Sequence, residues 1–253
     1  MDIAVCVKQI IDTEAEIELD ENQQVITDGQ TLIMDPYSEF AVEKAVQLKE
    51  ELGGRVVLVC LGDEECASAI RHGLAMGADE AILLARDDWR QLDPGQKVAC
   101  LSQALSCGSF DLIMGGWKSG DTANAQVMAG IAAALQMPLV NMATSLEVEG
   151  STLTVTCEVD DGTKVLQVST PAVIAAQQGL AEPRYPSVRD VMQARRKKIE
   201  TRDASAHELP AAKIRTIRME MKPPRQGGRV LEGELAEVCA QAASLLRREA
   251  KVI

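Results

Sequence analysis

A glycine-rich turn at residues 115–121, Gly-Gly-Trp-Lys-Ser-Gly-Asp, is the part of the sequence best suited to hold a ligand. An apolar run that predicts a strand precedes it, and an alanine-rich run that predicts a helix over residues 122–136 follows it. Glycines let a backbone approach a ligand closely, and the first N–H groups of a helix attract anions. The turn therefore predicts a phosphate site. An ordinary strand-to-helix loop, capped by Ser119 or Asp121, would have the same composition.

Two other segments could serve a ligand or a partner. Residues 34–39 begin a long predicted helix at the carboxyl end of the sheet, where open α/β folds bind ligands, although Tyr37 there could simply be a packing residue. Residues 184–198 form a basic run in an acidic chain. Such a run is usually a solvated face, but apolar residues such as Val188 and Met192 within it also suit a docking segment.

The sequence lacks the motifs and residue pairs that several other kinds of functional site require. The G-x-G-x-x-G fingerprint of dinucleotide-binding dehydrogenases and the G-x-x-x-x-G-K-[ST] motif of P-loop proteins are both absent. His72 and His207 have no serine, cysteine or metal-ligand partner at a recognisable spacing, so we predict no catalytic residue. The seven cysteines are odd in number and scattered, which indicates neither a disulfide framework nor a metal site.

Charge and hydropathy narrow the class of protein. A net charge of −12 and a pI near 4.7 argue against binding to nucleic acid, because affinity for phosphate backbones comes from Lys and Arg. The first residues do not resemble a typical signal peptide, and no apolar segment is long enough to cross a bilayer. We therefore expect a cytoplasmic protein with no membrane insertion.

The pattern of elements predicts an α/β fold. Short apolar runs alternate with helical patterns, which is typical of a doubly wound, mostly parallel sheet, here of about five parallel strands. Period-two alternation then predicts an antiparallel β-meander, and a buried strand over residues 171–176 follows it. The meander strands are expected at residues 145–148, 153–158 and 164–169.

The C-terminal part has a different composition. Residues 203–229 carry several prolines and glycines and predict an extended arm, and residues 231–250 predict a terminal amphipathic helix. We expect a nucleotide-binding domain over residues 1–202 and an arm over residues 203–253 that packs on a partner chain, because the arm has little core of its own.

Several segments together resemble the electron transfer flavoprotein beta subunit family, over most of the chain. They lie at residues 5–9, 35–45, 71–79 and 171–199. The resemblance implies an adenine-nucleotide-binding α/β fold and a heterodimer with an alpha subunit that carries FAD. It implies a carrier of electrons between dehydrogenases, or NADH, and downstream acceptors. Oxidation of NADH, and with it electron bifurcation, would require a second FAD in this subunit.

The resemblance also implies site residues. Recognition of a partner dehydrogenase would involve Arg184, Tyr185, Val188 and Met192, with Val188 shorter than the anchoring leucine of the family. The positions implied for cofactor binding are Cys6, Lys8, Asp35, Pro36, Tyr37, Ser38, Leu61, Gly116, Trp117, Lys118, Ser119, Gly120, Asp121, Thr122, Asn124, Ala125, Gln126 and Val127.

The cofactor of this subunit depends on residues 124–127. Members that hold a structural AMP resemble one another in an Asn-Gln-Thr run that binds its phosphate, whereas this chain has Ala125 and Val127 at the Asn and Thr positions. Bifurcating members carry Ala-Gln-Val there, as this chain does, but continue with Gly-Pro where it has Met128 and Ala129. The resemblance favours a second FAD. AMP is the alternative, and a stand-alone adenine-nucleotide-binding protein is a further one.

Overall fold

The computed structural model describes residues 1–206, 208–223 and 227–252, and the chain divides into two compact units. The first runs from Met1 to Arg218, and the second begins at Met219. His207 lies outside the described residues.

The strands of the first unit are β1 (Asp2–Val7), β2 (Gln9–Ile11), β3 (Leu32–Met34), β4 (Arg55–Gly62), β5 (Glu80–Ala85), β6 (Leu112–Gly116), β7 (Leu139–Glu149), β8 (Thr152–Val159), β9 (Gly162–Ser169), β10 (Ala172–Ala176) and β11 (Ile199–Asp203). Its α-helices are α1 (Pro36–Leu52), α2 (Ala67–Met76), α3 (Pro94–Ser106), α4 (Val127–Leu135) and α5 (Val188–Arg196). A 3₁₀ turn, Glu64–Cys66, precedes α2.

One sheet of nine strands organises the first unit, in the order β11–β5–β4–β1–β6–β10–β7–β8–β9. Neighbours are parallel from β11 to β7 and antiparallel from β7 to β9. Strands β2 and β3 form a separate antiparallel pair. The predicted doubly wound, mostly parallel α/β fold is confirmed.

The central strands form the core. β1, β4, β6 and β10 are buried along nearly their whole length, and their side chains are mainly Val, Ile, Leu and Ala. Helix α3 packs against α4, whereas α1 packs against β6 and α2. Parallel strands that are covered on both faces read as continuous apolar runs, which is why the sequence pattern located them.

The sheet differs from the prediction at two places. Residues 199–203, for which the sequence predicts no strand, form the edge strand β11 on β5. Residues 139–149 form the single strand β7, which pairs in parallel with β10 and then antiparallel with β8. Met142, at a φ of 55°, marks the irregularity where β7 changes partners. The sequence predicts the start of a parallel strand at residues 138–140 and a separate first meander strand at residues 145–148, but the structure has one strand there, β7.

The predicted helix over residues 122–136 is shorter in the structure. Helix α4 begins only at Val127, and Ala123 and Ala125 before it have φ values of 49° and 54°. The left-handed region interrupts a helix, and the Asn124 side chain accepts a hydrogen bond from the Gln126 N–H instead. An alanine-rich composition cannot reveal this, because alanine favours helix intrinsically.

The second unit consists of an extended stretch and α6 (Leu235–Leu245), which continues as a π-helical turn, Leu246–Ala250. Helix α6 is shorter than the predicted residues 231–250 and buries none of its residues. Within the described residues, no helix is both long and apolar enough to cross a membrane.

The first part of the expected arm packs on the first unit. Asp93, the N-cap of α3, accepts hydrogen bonds from the N–H groups of Lys213 (2.6 Å) and Ile214 (3.3 Å). Gln96 donates to the Pro210 carbonyl at 3.1 Å. The compact unit therefore reaches well past residue 202.

Candidate functional site

The candidate site lies where the strand order reverses. The chain proceeds from β1 to β4 and β5 on one side, and then crosses to β6 on the other side of β1. Cys6 of β1 is level with Gly115 of β6, so the carboxyl ends of both strands lie side by side. Open α/β sheets bind ligands in the crevice at such a switch point. Lys8, Leu61 and Gly116 line the cleft at the ends of these strands.

Asp35 joins the start of α1 to the glycine-rich turn. Its side chain is 1% exposed and accepts hydrogen bonds from the Tyr37 N–H (3.0 Å) and the Gly120 N–H (2.6 Å). Burial raises the pKa of the Asp35 carboxyl, while these hydrogen bonds and the Lys8 charge oppose the rise. Pro36 fits the first turn of α1 because it has no N–H to satisfy.

Lys8 joins β1 to the same turn. Its Nζ donates to Asp121 at 2.6 Å and to the Ser119 Oγ at 3.2 Å. The Ser119 and Thr122 hydroxyls are 3.0 Å apart. Burial alone would raise the pKa of Asp121, but the Lys8 ammonium and hydrogen bonds from Lys8, Ser119 and the Thr122 N–H lower it overall. The turn is thus fixed by polar contacts with β1.

The loop before α4 is shaped to accept an anion. Ala125 is left-handed and Gln126 is right-handed at φ −104° and ψ −27°, an alternation that turns successive N–H groups toward one concave side. Of these groups, the Gln126 N–H donates to the Asn124 side chain at 3.3 Å. Helix α4 has no side-chain cap at Gln126, so its first N–H groups have no side-chain acceptor there. Asn124, Ala125, Gln126 and Val127 all line the cleft.

An aromatic pair borders the cleft beside α1. Trp117 and Tyr37 meet edge to face, with ring centroids 6.0 Å apart, and the Trp117 Nε1 donates to Gln177 at 3.0 Å. The Lys118 Nζ lies 4.6 Å from the Trp117 ring centroid and 5.5 Å from that of Tyr37. Gly116 permits this arrangement, since a Cβ there would lie 2.5 Å from the Cβ of Tyr37.

Cys6 lines the cleft without being reactive. Its side chain is 9% exposed, and burial raises the pKa of the thiol to about 12. The thiol is therefore neutral at physiological pH and contributes an apolar surface.

Comparison with known proteins gives a consistent result. The model of the electron transfer flavoprotein domain matches residues 23–207. The electron transfer flavoprotein subunit beta of Syntrophomonas wolfei is 38% identical over 99% of this chain and 97% of its own length. That of Bacillus subtilis is 36% identical over the whole of both chains. That of Homo sapiens is 33% identical over 89% of this chain and 91% of its own length. The chain belongs to the electron transfer flavoprotein beta subunit family. Its role is therefore one of electron transfer.

Most positions implied by the family resemblance meet in this cleft, which encloses about 760 Å³ including solvent at its open mouth. Pro36, Tyr37, Gly120 and Asp121 do not line it but support residues that do. The implied positions that line it are Cys6, Lys8, Asp35, Ser38, Leu61, Gly116, Trp117, Lys118, Ser119, Thr122, Asn124, Ala125, Gln126 and Val127.

The cleft of this electron transfer flavoprotein chain also includes residues that sequence reasoning missed, namely Val7, Trp89, Lys97, Leu101 and Met128. Trp89, Lys97 and Leu101 come from α3 and the segment before it, which carry no glycine motif. The capping box of α3, Asp93 with Gln96, is the sequence signal that could have placed the start of this helix and hence Lys97 in its first turn.

The four residues expected to recognise a dehydrogenase lie outside the cleft lining. Arg184 forms ion pairs with Glu43, which is only 3% exposed, at 2.8 Å and with Glu50 at 2.6 Å. Tyr185 and Val188 beside it are 100% and 82% exposed, and Met192 is 49% exposed. A fixed arginine is thus followed by an exposed apolar surface.

Proposed function

We propose that this chain is the beta subunit of a heterodimeric electron transfer flavoprotein. It pairs with an alpha subunit that carries FAD, and its cleft holds an adenine nucleotide. The complex carries electrons between dehydrogenases, or NADH, and downstream acceptors. The observation that carries the proposal is the cleft at the switch point of the sheet in a chain of this family. One wall of the cleft is a loop suited to bind an anion, and that loop leads into a helix without a side-chain cap.

The residues present fit such a nucleotide. The N–H groups that lead into α4 would receive a phosphate, and the Ser119 and Thr122 hydroxyls lie on the same wall. Cys6, Leu61 and Met128 supply an apolar surface for the base. When bound, a flavin supplies the reversible uptake of electrons, and the chain's own task is to hold and orient it.

A second FAD is the nucleotide that we favour in this subunit. Ala125 and Val127 have no side-chain donors for the terminal phosphate of a structural AMP, so that phosphate would depend on backbone N–H groups. A second FAD would allow NADH oxidation and electron bifurcation. Structural AMP is the alternative, and it would make the subunit a scaffold beside the flavin of the alpha subunit.

Analysis of the nucleotides in the purified heterodimer tests the proposal. The chain is produced together with its alpha subunit, the complex is denatured, and the released nucleotides are separated and quantified. Two FAD per heterodimer would support the bifurcating form, and one FAD with one AMP would support the alternative. A complex that contains no flavin would overturn the proposed function.

The surface around α5 is proposed to dock a dehydrogenase. Val188 is largely exposed at the start of the helix, and Arg184 is held by two carboxylates. We expect Val188→Ala to slow electron exchange with a partner dehydrogenase while nucleotide content stays constant. Equal loss of transfer and of nucleotide would instead indicate that the residue supports the fold.

A further inference from the structure

We propose that Lys97 of α3 is a nucleotide-binding residue of the cleft, whose ammonium pairs with the phosphate of the bound adenine nucleotide, and that Gly130 of α4 positions it there. This inference rests on the proposed function, because it concerns the nucleotide in the same cleft. It adds a helix, α3, to a site that otherwise consists of strand ends and loops.

The lysines that line the cleft differ in their partners. Lys8 is neutralised by Asp121, and Lys118 lies over the rings of Trp117 and Tyr37. The Lys97 Nζ has neither a hydrogen bond nor an ion pair with any residue that the structure describes. Among the residues that the structure describes, Lys97 is therefore the cleft lysine whose ammonium has neither a carboxylate nor an aromatic partner.

The cleft that Lys97 lines has partly apolar walls. Trp89 and Leu101, which line the same cleft, are 5% and 7% exposed. Burial lowers the pKa of Lys97, and the nearby Lys8 lowers it further, while Asp121 and Asp93 act in the opposite direction. A partly desolvated cation without a partner costs free energy, and an anionic ligand would offset that cost.

Helices α3 and α4 meet at the residue next to Lys97. Val98, the next residue, packs directly on Gly130, where a Cβ would overlap the Val98 side chain. Helices α3 and α4 can therefore approach closely in their first turns. The first turn of α4 carries the uncapped N–H groups, and Lys97, the residue before Val98, lines the same cleft as Val127 at that helix start.

The test compares heterodimers that contain Lys97→Met, Lys97→Arg or a matched control, Lys164→Met. Lys164 is an exposed lysine of β9 that does not line the cleft, so its replacement changes net charge equally. Each complex is stripped of nucleotide, and the Kd values of FAD and of AMP are measured separately at two ionic strengths. The nucleotide content of each complex as purified is measured as well.

We expect Lys97→Met to weaken the better-bound nucleotide on the order of ten- to hundredfold, as for loss of a charge-assisted hydrogen bond. Lys97→Arg should retain most of the affinity, and Lys164→Met should match the wild type. Raising the ionic strength should weaken nucleotide binding less in Lys97→Met than in the wild type, because the variant has lost the ion pair that salt screens. Gly130→Ala should reduce affinity without any change in charge.

Two results would count against the inference, and they differ in meaning. A wild-type complex that binds neither FAD nor AMP in this subunit would overturn the proposed nucleotide site and the role of Lys97 with it. If the wild type binds nucleotide, two outcomes would overturn the role of Lys97 alone. Either Lys97→Met binds the nucleotide equally well, or it loses affinity and Lys97→Arg does not restore it. Far-UV circular dichroism identifies any variant that has not folded.

Discussion

Asp35 shows how a residue can be essential to a site without needing to touch a ligand. The family resemblance implied that it is a cofactor-binding position, and its place at the start of a helix at the end of the sheet also made it a candidate for a ligand site. In the structure its buried carboxylate also holds two backbone N–H groups, one from α1 and one from the glycine-rich turn. The residue therefore fixes the distance between two walls of the cleft.

We predict that Asp35→Asn destabilises the protein by about 1–3 kcal/mol. The amide oxygen can accept one of the two hydrogen bonds, but the amide NH₂ then faces an N–H donor and leaves it unsatisfied. Urea denaturation of the variant and the wild type measures the difference. Asp28→Asn, at an exposed position, serves as the control, and an equal effect at both positions would contradict the role assigned to Asp35.

The ion pair of Lys8 and Asp121 predicts a pH dependence. The pKa of Asp121 is lowered in the folded protein, so its contribution to stability is present above the unfolded value of about 3.8 and is lost as the pH falls through the lower folded value. The side chain is 39% exposed, so we expect only about 0.2–1 kcal/mol.

Asp121→Asn should therefore be less stable than the wild type at neutral pH, and the two should converge in acid. The free energy of unfolding of each protein, measured from neutral pH down through 3.8, gives the comparison. Asp160→Asn on an exposed turn should show no such convergence. A difference that stays constant with pH would mean that the loss at Asp121 is not electrostatic.

At the scale of elements, local sequence patterns located the central strands and α1. They failed where contacts between residues distant in the sequence determine the local structure. The segment before α4 has helical composition, yet the structure holds it in an irregular loop beside β1. Strand β11 is polar and lies at an edge, so no apolar run reveals it. Trp89, Lys97 and Leu101 were missed because packing, and not a local motif, brings them to the cleft.

Gly116 lies where β6, α1 and the glycine-rich turn pack tightly together. An added Cβ would lie 2.5 Å from the Tyr37 Cβ and 2.9 Å from the Lys118 carbonyl oxygen, closer than real contacts allow. We predict that Gly116→Ala costs about 1–3 kcal/mol through overpacking and lowers nucleotide content.

Thermal unfolding and nucleotide quantification check the Gly116 prediction. Gly228→Ala introduces the same methyl group where nothing lies within 4 Å, and it should leave both quantities unchanged. A Gly116→Ala variant with wild-type stability and nucleotide content would show that the turn can move without consequence.

At the scale of the whole molecule, the boundary between units determines where the chain can be shortened. Sequence composition suggested residue 202, but that residue lies inside β11, and Ala204 is fully buried and donates its N–H to the Ala85 carbonyl. Residues 210–214 are also tied to α3. The composition of this polar, proline-rich segment predicts an arm. The hydrogen bonds of the segment to Asp93 could not be predicted from its composition.

We predict that a chain ending at Arg218 folds but no longer binds the alpha subunit. The second unit buries none of the residues of α6 and leaves Leu235 and Val230 exposed, as expected for a segment that packs on another protein. Gel filtration of the full and shortened chains with the alpha subunit tests this. A shortened chain that still co-elutes with the alpha subunit would assign the contact elsewhere, and a full-length chain that stays monomeric would favour a stand-alone protein.

The place of β10 in the sheet has a consequence for how the protein is made. β10 lies between β6 and β7, although both precede it in the chain. During synthesis, therefore, the flanking strands leave the ribosome before the strand that separates them, and each keeps an unpaired edge until residue 176 has emerged. Exposed strand edges are where nascent chains associate wrongly. We expect chains arrested between residues 149 and 171 to aggregate, and the completed sheet to close only when its middle strand arrives.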